Sequence, residues 1–386
     1  MRVRTWLAGG AASAAFGLGL LDGAGAAAAT PAPFPPAVAA PAVSPAVQEG
    51  SQQFVVHSAK VGRDFTIVVT PPQTPALPGQ KQPAIYALDS GYGIAGQIAR
   101  LSGAAAGMSG AYVVSVGYGE GQTNDRNTDL THHPFPSEGG QTVGGGGPAF
   151  EAFLLEELRP QIEARYPADP NQAILFGHSL GGLFVANVLA DNPQAFRAYI
   201  IGSPSVWADP TVVARVAAAA ANGGGRRVYV SVGEKESAQM TDGAAQLTAA
   251  LSKPGSTFVV KERVFAGENH LSYYPQLASL AFAYVLPPPP IPPERHEIAV
   301  DAATLAHYVG VYRLTDGRTV TVTIKDGKLF AQLTGLPQIQ LFAETAHAFF
   351  VKGVDAQMTF KDNGSAPSES AVVHLNGGDA NAVRAP

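Results

Sequence analysis

The chain has 386 residues, 46% of them hydrophobic, with 25 Lys and Arg against 30 Asp and Glu, a formal net charge of −5 and no cysteine. This mild acidity argues against nucleic acid or an anionic membrane as a partner. The lack of cysteine excludes a disulfide framework, a lipid-bearing cysteine and a thiol nucleophile, so covalent catalysis would have to use a hydroxyl.

At the N-terminus Arg2 and Arg4 precede an apolar stretch from Trp6 to Leu21, and Ala26 to Ala29 offer small-residue cleavage sites. The stretch is short and rich in Gly and Ala for a membrane span, and the two arginines are not adjacent, as a twin-arginine signal would need. Residues 1–29 are therefore read as a cleaved signal peptide, which predicts export to the periplasm or beyond. No later segment is apolar over the roughly 18 residues of a membrane helix, so no membrane insertion is expected after cleavage. Residues 30–50 alternate Pro, Ala and Val with almost no charge, the composition of a disordered, polyproline-like leader.

Residues 51–285 read as one α/β domain with eight strand-like runs, at 54–57, 65–69, 84–88, 112–116, 173–176, 198–201, 228–232 and 258–260. The later runs are nearly continuously apolar, as buried parallel strands are, and helical patterns separate most of them. The first two lie close enough for an antiparallel hairpin. Phe150, Phe153, Leu154, Leu158 and Ile162 give a covering helix an apolar face, which Pro160 should kink or divide. The adjacent His132 and His133 lack an accompanying carboxylate or cysteine cluster in the sequence, so a surface loop is predicted there rather than a metal site.

The fifth run leads into Gly177-His178-Ser179-Leu180-Gly181-Gly182, followed by the helical pattern from Leu183 to Ala190. Strand, G-x-S-x-G and helix in succession predict a nucleophile elbow with Ser179 exposed at a tight turn. Gly177 and Gly181 are expected to be small because side chains there would collide with the neighbouring strand and helix. In an α/β-hydrolase an acid follows strand seven and a histidine follows strand eight. The seventh run ends in Gly233-Glu234-Lys235-Glu236 and the eighth leads to Gly267-Glu268-Asn269-His270. Ser179 is thus the candidate nucleophile and His270 its general base. The orienting carboxylate is Glu236 or Glu234, with Glu236 favoured because the chain there can turn toward the histidine loop. Oxyanion donors are expected from the N–H of Leu180 and from the loop after the third run, at Gly91, with Ser90 or Tyr92 as alternatives. Arg126 could hold an anionic part of a substrate, but an ion pair with Asp129 that fixes its loop is the favoured reading.

The run 286–293 is proline-rich, so residues 286–296 are read as a semi-rigid linker. Residues 297–386 then form an antiparallel β domain. Val320, Val322 and Ile324 alternate, Asp326-Gly327 supplies a two-residue turn, and Leu329, Ala331 and Leu333 alternate in return, so Ile324 should face Leu329 and Val320 face Leu333. Asn363-Gly364 marks a second turn, between Phe360 and the strand at 372–375. His307, His347 and His374 are isolated in the sequence and offer little chemistry.

In combination, several segments resemble the siderophore (enterobactin-type) esterase branch of the α/β-hydrolases over about residues 50–285. They are Leu88-Asp89, Val116-Gly117-Tyr118, the run Arg126 to Thr131, Gly145-Gly146-x-x-Ala149-Phe150, Glu157-Leu158-Arg159-Pro160, the elbow itself and Ser203-Pro204-Ser205-Val206-Trp207. The chain departs from that family at Asp89-Ser90, where the family has Asp-Gly, and at Trp207-Ala208, where tryptophan is often doubled. Tyr308-Val309-Gly310-Val311-Tyr312, the turn at Asp326-Gly327-Lys328-Leu329 and Val373 to Gly377 are similar to the lipocalin-like β domain appended to beta-lactamase-related serine hydrolases. The resemblance implies an α/β-hydrolase fold of eight mostly parallel strands plus a small antiparallel β domain. It also implies a serine esterase acting on a small-molecule ester through an acyl-enzyme, without metal or organic cofactor, and with Tyr92, Arg126 and Trp207 near the substrate. Some relatives use a Ser–His dyad, so the resemblance by itself does not require the acid.

Overall fold

The apolar runs of the N-terminal two-thirds assemble into one eight-stranded sheet. The computed structural model describes residues 50–89, 95–96, 98–99, 110–119, 121–137, 139–286, 291–361 and 367–386. The stretch expected to be a signal peptide, nearly all of the expected leader, part of the expected linker and the loop positions Ser90, Gly91 and Tyr92 lie outside these. Strands β1 (Gln52–Ser58) and β2 (Arg63–Thr70) form the expected hairpin, and β2 runs antiparallel to β4 (Tyr112–Gly117). From β4 onward the sheet is parallel, through β3 (Gln82–Leu88), β7 (Ala168–His178), β8 (Ala198–Gly202), β9 (Arg227–Gly233) and β10 (Val259–Phe265). A small hairpin of β5 (Pro134–Pro136) and β6 (Thr142–Gly144) is additional.

Both faces of the central strands are covered, which is why those runs are continuously apolar. Tyr86 and Leu88 face one core, while Ile85 and Ala87, their neighbours along β3, face the other. The larger core is closed by α1 (Gly147–Ala152), the helical run after it, α3 (Leu180–Asp191), α4 (Thr211–Ala219) and α5 (Ala238–Leu251). The opposite core is closed by α6 (Tyr274–Val285). The covering helix does not break at Pro160. It passes through a π-helical turn, Phe153–Leu158, and resumes as α2 (Arg159–Arg165), leaving Pro160 in a first turn where its missing N–H is not needed. Strand β10 is longer than its apolar run because it lies at the sheet edge, where Lys261, Glu262 and Arg263 are exposed and discourage further pairing.

The C-terminal strands close into an antiparallel barrel. They are β11 (Gly310–Leu314), β12 (Thr319–Lys325), β13 (Lys328–Leu333), β14 (Ile339–Ala343), β15 (Ala348–Phe350), β16 (Ala356–Lys361), β17 (Ser370–Leu375) and β18 (Gly378–Arg384). The expected register holds, with Ile324 opposite Leu329 and Val320 opposite Leu333. Asp326 and Gly327 take φ of 51° and 70°, the left-handed pair that a type I′ turn demands. The Asn363-Gly364 turn lies outside the described residues, but its flanking strands pair, Phe360 opposite Ala371. The interior is filled by side chains, with the Tyr308 and Phe360 rings stacked at 4.4 Å.

The loop between β2 and β3 meets the barrel. Leu77 on that loop is 1% exposed and belongs to the barrel's core. Arg318, in the β11–β12 turn, donates from Nη2 to the Ala76 carbonyl at 2.6 Å. Gln80 lies so close to Gly378 that a Cβ at 378 would fall 1.4 Å from its Nε2. The loop enters β3 at its N-terminal end, whereas Ser179 follows the C-terminal end of the parallel neighbour β7. The barrel therefore docks at the end of the sheet opposite the serine turn.

Candidate active site

Ser179 sits between β7 and α3 with φ 61° and ψ −123°, a backbone state that non-glycine residues rarely adopt. The surroundings over-determine it. Its N–H donates to the Gly202 carbonyl at 2.9 Å, and its own carbonyl accepts from Leu183 at 3.0 Å and Ser205 at 3.2 Å. A Cβ at Gly177 would lie 2.1 Å from the Gly181 carbonyl oxygen, and one at Gly182 would lie 2.5 Å from that of Gly202. At Gly181 a Cβ would meet only Leu88 at 3.8 Å, an ordinary contact. The expectation of a steric need at Gly181 is thus corrected: the tight positions are Gly177, under the turn, and Gly182, against the neighbouring strand. Leu180 opens α3, where the helix's positive end faces the turn. The other expected oxyanion donor, Gly91, and the substrate candidate Tyr92 lie outside the described residues.

The loops after β9 and β10 bring Glu236 and His270 together. His270 Nδ1 is 2.6 Å from Glu236 Oε2, with the carboxylate side chain 2% exposed and the imidazole 36% exposed. The other oxygen, Oε1, accepts from the Gly233 N–H at 2.8 Å and from the Ser203 hydroxyl at 2.5 Å. Burial by itself would raise this carboxyl. The hydrogen bonds from His270, Ser203 and Gly233 outweigh it and hold Glu236 below the ordinary carboxylate range. Glu234 points elsewhere and accepts from the Gly267 N–H at 2.6 Å. An ionised carboxylate can only accept, so Nδ1 of His270 carries the hydrogen in this pair and Nε2 keeps its lone pair.

Four neighbours are given no role by the sequence. The ring of His178, next in sequence to Ser179, packs 4.5 Å from that of His270. Burial, and then the charge of His270, depress its pKa to about 4, so it is a neutral platform near neutral pH. Ser205 is buried with its Oγ 3.5 Å from that of Ser179. Ser203 and Tyr273 lie behind Glu236. The sequence signals for the two serines are their place in the Ser203-Pro204-Ser205-Val206-Trp207 segment and just past β8, which pairs His178 with Gly202.

Arg126 is ion-paired, but not with Asp129. Its Nε donates to Asp89 Oδ2 at 2.7 Å, while Asp129 is buried with Arg63 and the Tyr118 hydroxyl. The reason is directional: Asp129 closes its helical turn facing β2, and Arg126 opens the same turn facing the end of β3. Trp207 is 40% exposed and meets Phe135 edge-on at 5.6 Å. The histidine pair is not a plain surface loop. His132 is buried, with Nε2 3.2 Å from Glu151 and 4.0 Å from Asp191, while His133 Nδ1 is 2.9 Å from Asp209. The ligand atoms of His132, Glu151 and Asp191 lie within 4.8 Å of one another, a grouping that could hold a metal ion, and Arg215 pairs with Asp191 from α4, so carboxylates absent from the neighbouring sequence are brought to the histidine by the fold.

A hydroxyl on a strained turn at a helix N-terminus, with a carboxylate-oriented imidazole packed on the ring of the preceding His178, is equipment suited to acyl transfer. Comparison with known proteins points to ester hydrolysis. The family model described as "Putative esterase" matches residues 58–279, and one for a domain of unknown function, DUF3471, matches 294–374. The chain is 32% identical over 267 residues to the ferri-bacillibactin esterase BesA of Bacillus subtilis (strain 168), an alignment covering 62% of this chain and 90% of that protein. The crystal structure of the BES protein from Bacillus cereus superposes with a TM-score of 0.57 at 29% identity, covering 64% of this chain and 98% of that one. The siderophore hydrolase EstB from Aspergillus nidulans shares the fold, with a TM-score of 0.52 at 23% identity over 64% of this chain and 97% of that one. With more than half of its length matched by that model, the chain belongs to the "Putative esterase" family, as a hydrolase of ester bonds.

Proposed function

We propose that the protein is an exported serine esterase that cleaves siderophore-type aryl or acyl esters through an acyl-enzyme. The observation that carries the mechanism is the Glu236–His270 pair beside the positive-φ turn at Ser179. Ser179 Oγ attacks the acyl carbon as His270 Nε2 takes its proton. The oxyanion develops against the Leu180 N–H at the start of α3. His270 then returns the proton to the leaving alkoxide, and a water activated by the same nitrogen releases the acid. Glu236 keeps the imidazole in the required tautomer throughout. The similarity to an esterase of a ferri-siderophore supports the substrate class. Arg126 supplies only a partly neutralised charge, because Asp89 is already on it. Trp207 offers an exposed aromatic face close in sequence to Ser205.

The test is an ester panel with wild type beside Ser179→Ala, together with labelling by a fluorophosphonate probe. Hydrolysis of siderophore lactones, with label on Ser179, is expected. Turnover of polysaccharide acetyl or feruloyl esters alone would overturn the substrate class, net acyl transfer to an alcohol would make the protein an acyltransferase, and failure of folded protein to label would make it a non-catalytic binder. For export, mass spectrometry of protein from the periplasm or medium should find a new N-terminus near Ala28 or Ala29. Retention of residues 1–29 there would contradict signal cleavage.

A further inference from the structure

Ser203 lies immediately past β8, is fully buried and has φ 38°. Glycine adopts that backbone state without strain, and serine does not. A buried serine there calls for a reason in its hydroxyl. That hydroxyl is 2.5 Å from Glu236 Oε1 and 2.5 Å from the Tyr273 hydroxyl, and Tyr273 is itself fully buried. A serine hydroxyl has one hydrogen to give, and an ionised carboxylate can only accept. The Ser203 hydrogen therefore goes to Glu236, and Tyr273 must donate to Ser203. The chain of donors runs Tyr273 to Ser203 to Glu236, met from the other side by His270.

The consequence concerns the two oxygens of one carboxylate. Oε1 is occupied by the Gly233 N–H and the Ser203 hydroxyl, which leaves Oε2 for His270. A buried carboxylate with one fixed donor could rotate about its last torsion and present either oxygen at a range of angles. Two donors on one oxygen remove that freedom. The structure assigns Ser203, backed by Tyr273, as the positioning residue that fixes the Glu236 carboxylate against His270. This assignment rests on reading Ser179, His270 and Glu236 as one catalytic unit. Neither Ser203 nor Tyr273 is given any contact with substrate.

The backbone makes the test discriminating, because Ser203→Gly relieves the positive φ while removing the hydroxyl. A merely structural serine would lose stability and keep its turnover chemistry. A positioning serine does the reverse. With p-nitrophenyl butyrate as probe, Ser203→Gly is expected to keep or raise the melting temperature. Its kcat should fall roughly 10- to 100-fold, the loss of one hydrogen bond to a charged group, with KM within a few-fold. The acid limb of kcat/KM should move to higher pH, because a carboxylate with one donor fewer is the stronger base and holds the proton on His270 longer. The titratable groups against Glu236 are His270, His178 and Tyr273. Tyr273→Phe should shift kcat and the acid limb in the same direction by less. Wild-type kcat and pH profile in Ser203→Gly, with Glu236→Gln impaired, would overturn the positioning role and leave the catalytic reading standing. Full turnover by Glu236→Gln would overturn both.

Discussion

Ser179 is marked in the sequence by its G-x-S-x-G motif between a strand and a helix, and His270 by its place after the eighth run. The sequence favours Glu236 over Glu234, and in the structure it is Glu236 that faces the imidazole while Glu234 turns to the Gly267 N–H, a matter of side-chain direction that spacing does not encode. The partner of Arg126 was not legible for a similar reason, since Asp89 lies 37 residues away across a crossover. Ser179→Ala should lower kcat/KM by at least about 10⁴-fold, and Glu236→Gln by roughly 10³- to 10⁴-fold, because the imidazole loses both its tautomer and its charge partner. Glu234→Gln should stay within a few-fold of wild type. Steady-state kinetics on one ester compares all three, and an impaired Glu234 variant beside a competent Glu236 variant would reverse the assignment.

At the scale of elements, the central strands were legible because burial on both faces leaves an unbroken apolar run, and the β12–β13 hairpin because Asp-Gly fixes its register. The far part of the edge strand β10 is not legible in the sequence because its exposed charges carry no such signal. The need for Gly182 was missed because it arises from the carbonyl of a neighbouring strand. Gly182→Ala should cost about 1–3 kcal/mol by forcing α3 away from β8, whereas Gly181→Ala should stay within about 1 kcal/mol of wild type. Urea denaturation of the two variants measures the difference, and equal losses would count against the steric account.

His374, isolated in the sequence, lies between two acids in the barrel, with Nδ1 2.6 Å from Asp379 and Nε2 3.1 Å from Asp355. Partial burial acts to lower its pKa, but the hydrogen bonds to Asp379 and Asp355 outweigh it and raise the group above its ordinary value. The stabilisation is therefore complete below the unfolded value near 6.5 and is lost as pH rises through the higher folded value. The difference in melting temperature between wild type and His374→Gln should be largest below about pH 6 and shrink toward pH 9. A gap that widens over that range would show that the imidazolium is not what the acids hold.

Over the whole molecule, the sheet places its chemistry at the C-terminal strand ends and its second body at the N-terminal ends. Composition and the proline-rich run marked that a second body exists, but where it docks depends on Leu77, about which the sequence is silent. Among the described residues no helix is long and apolar enough to cross a membrane. Leu77→Asp should destabilise the protein by about 2–5 kcal/mol, by placing a charge in the barrel's core. It should leave kcat on a small ester within a few-fold, because the serine turn lies at the far end of the sheet. Thermal unfolding paired with kinetics at a permissive temperature tests both halves of this expectation, and a large loss of kcat in folded protein would mean that the two ends communicate.

The barrel's interior is completed by a side chain that the barrel does not encode. Without the barrel this leucine would stand in water with nothing to fill. The apolar side chain of Leu77 and the bare backbone at Gly378 are therefore the two places where the β2–β3 loop and the barrel are fitted to each other.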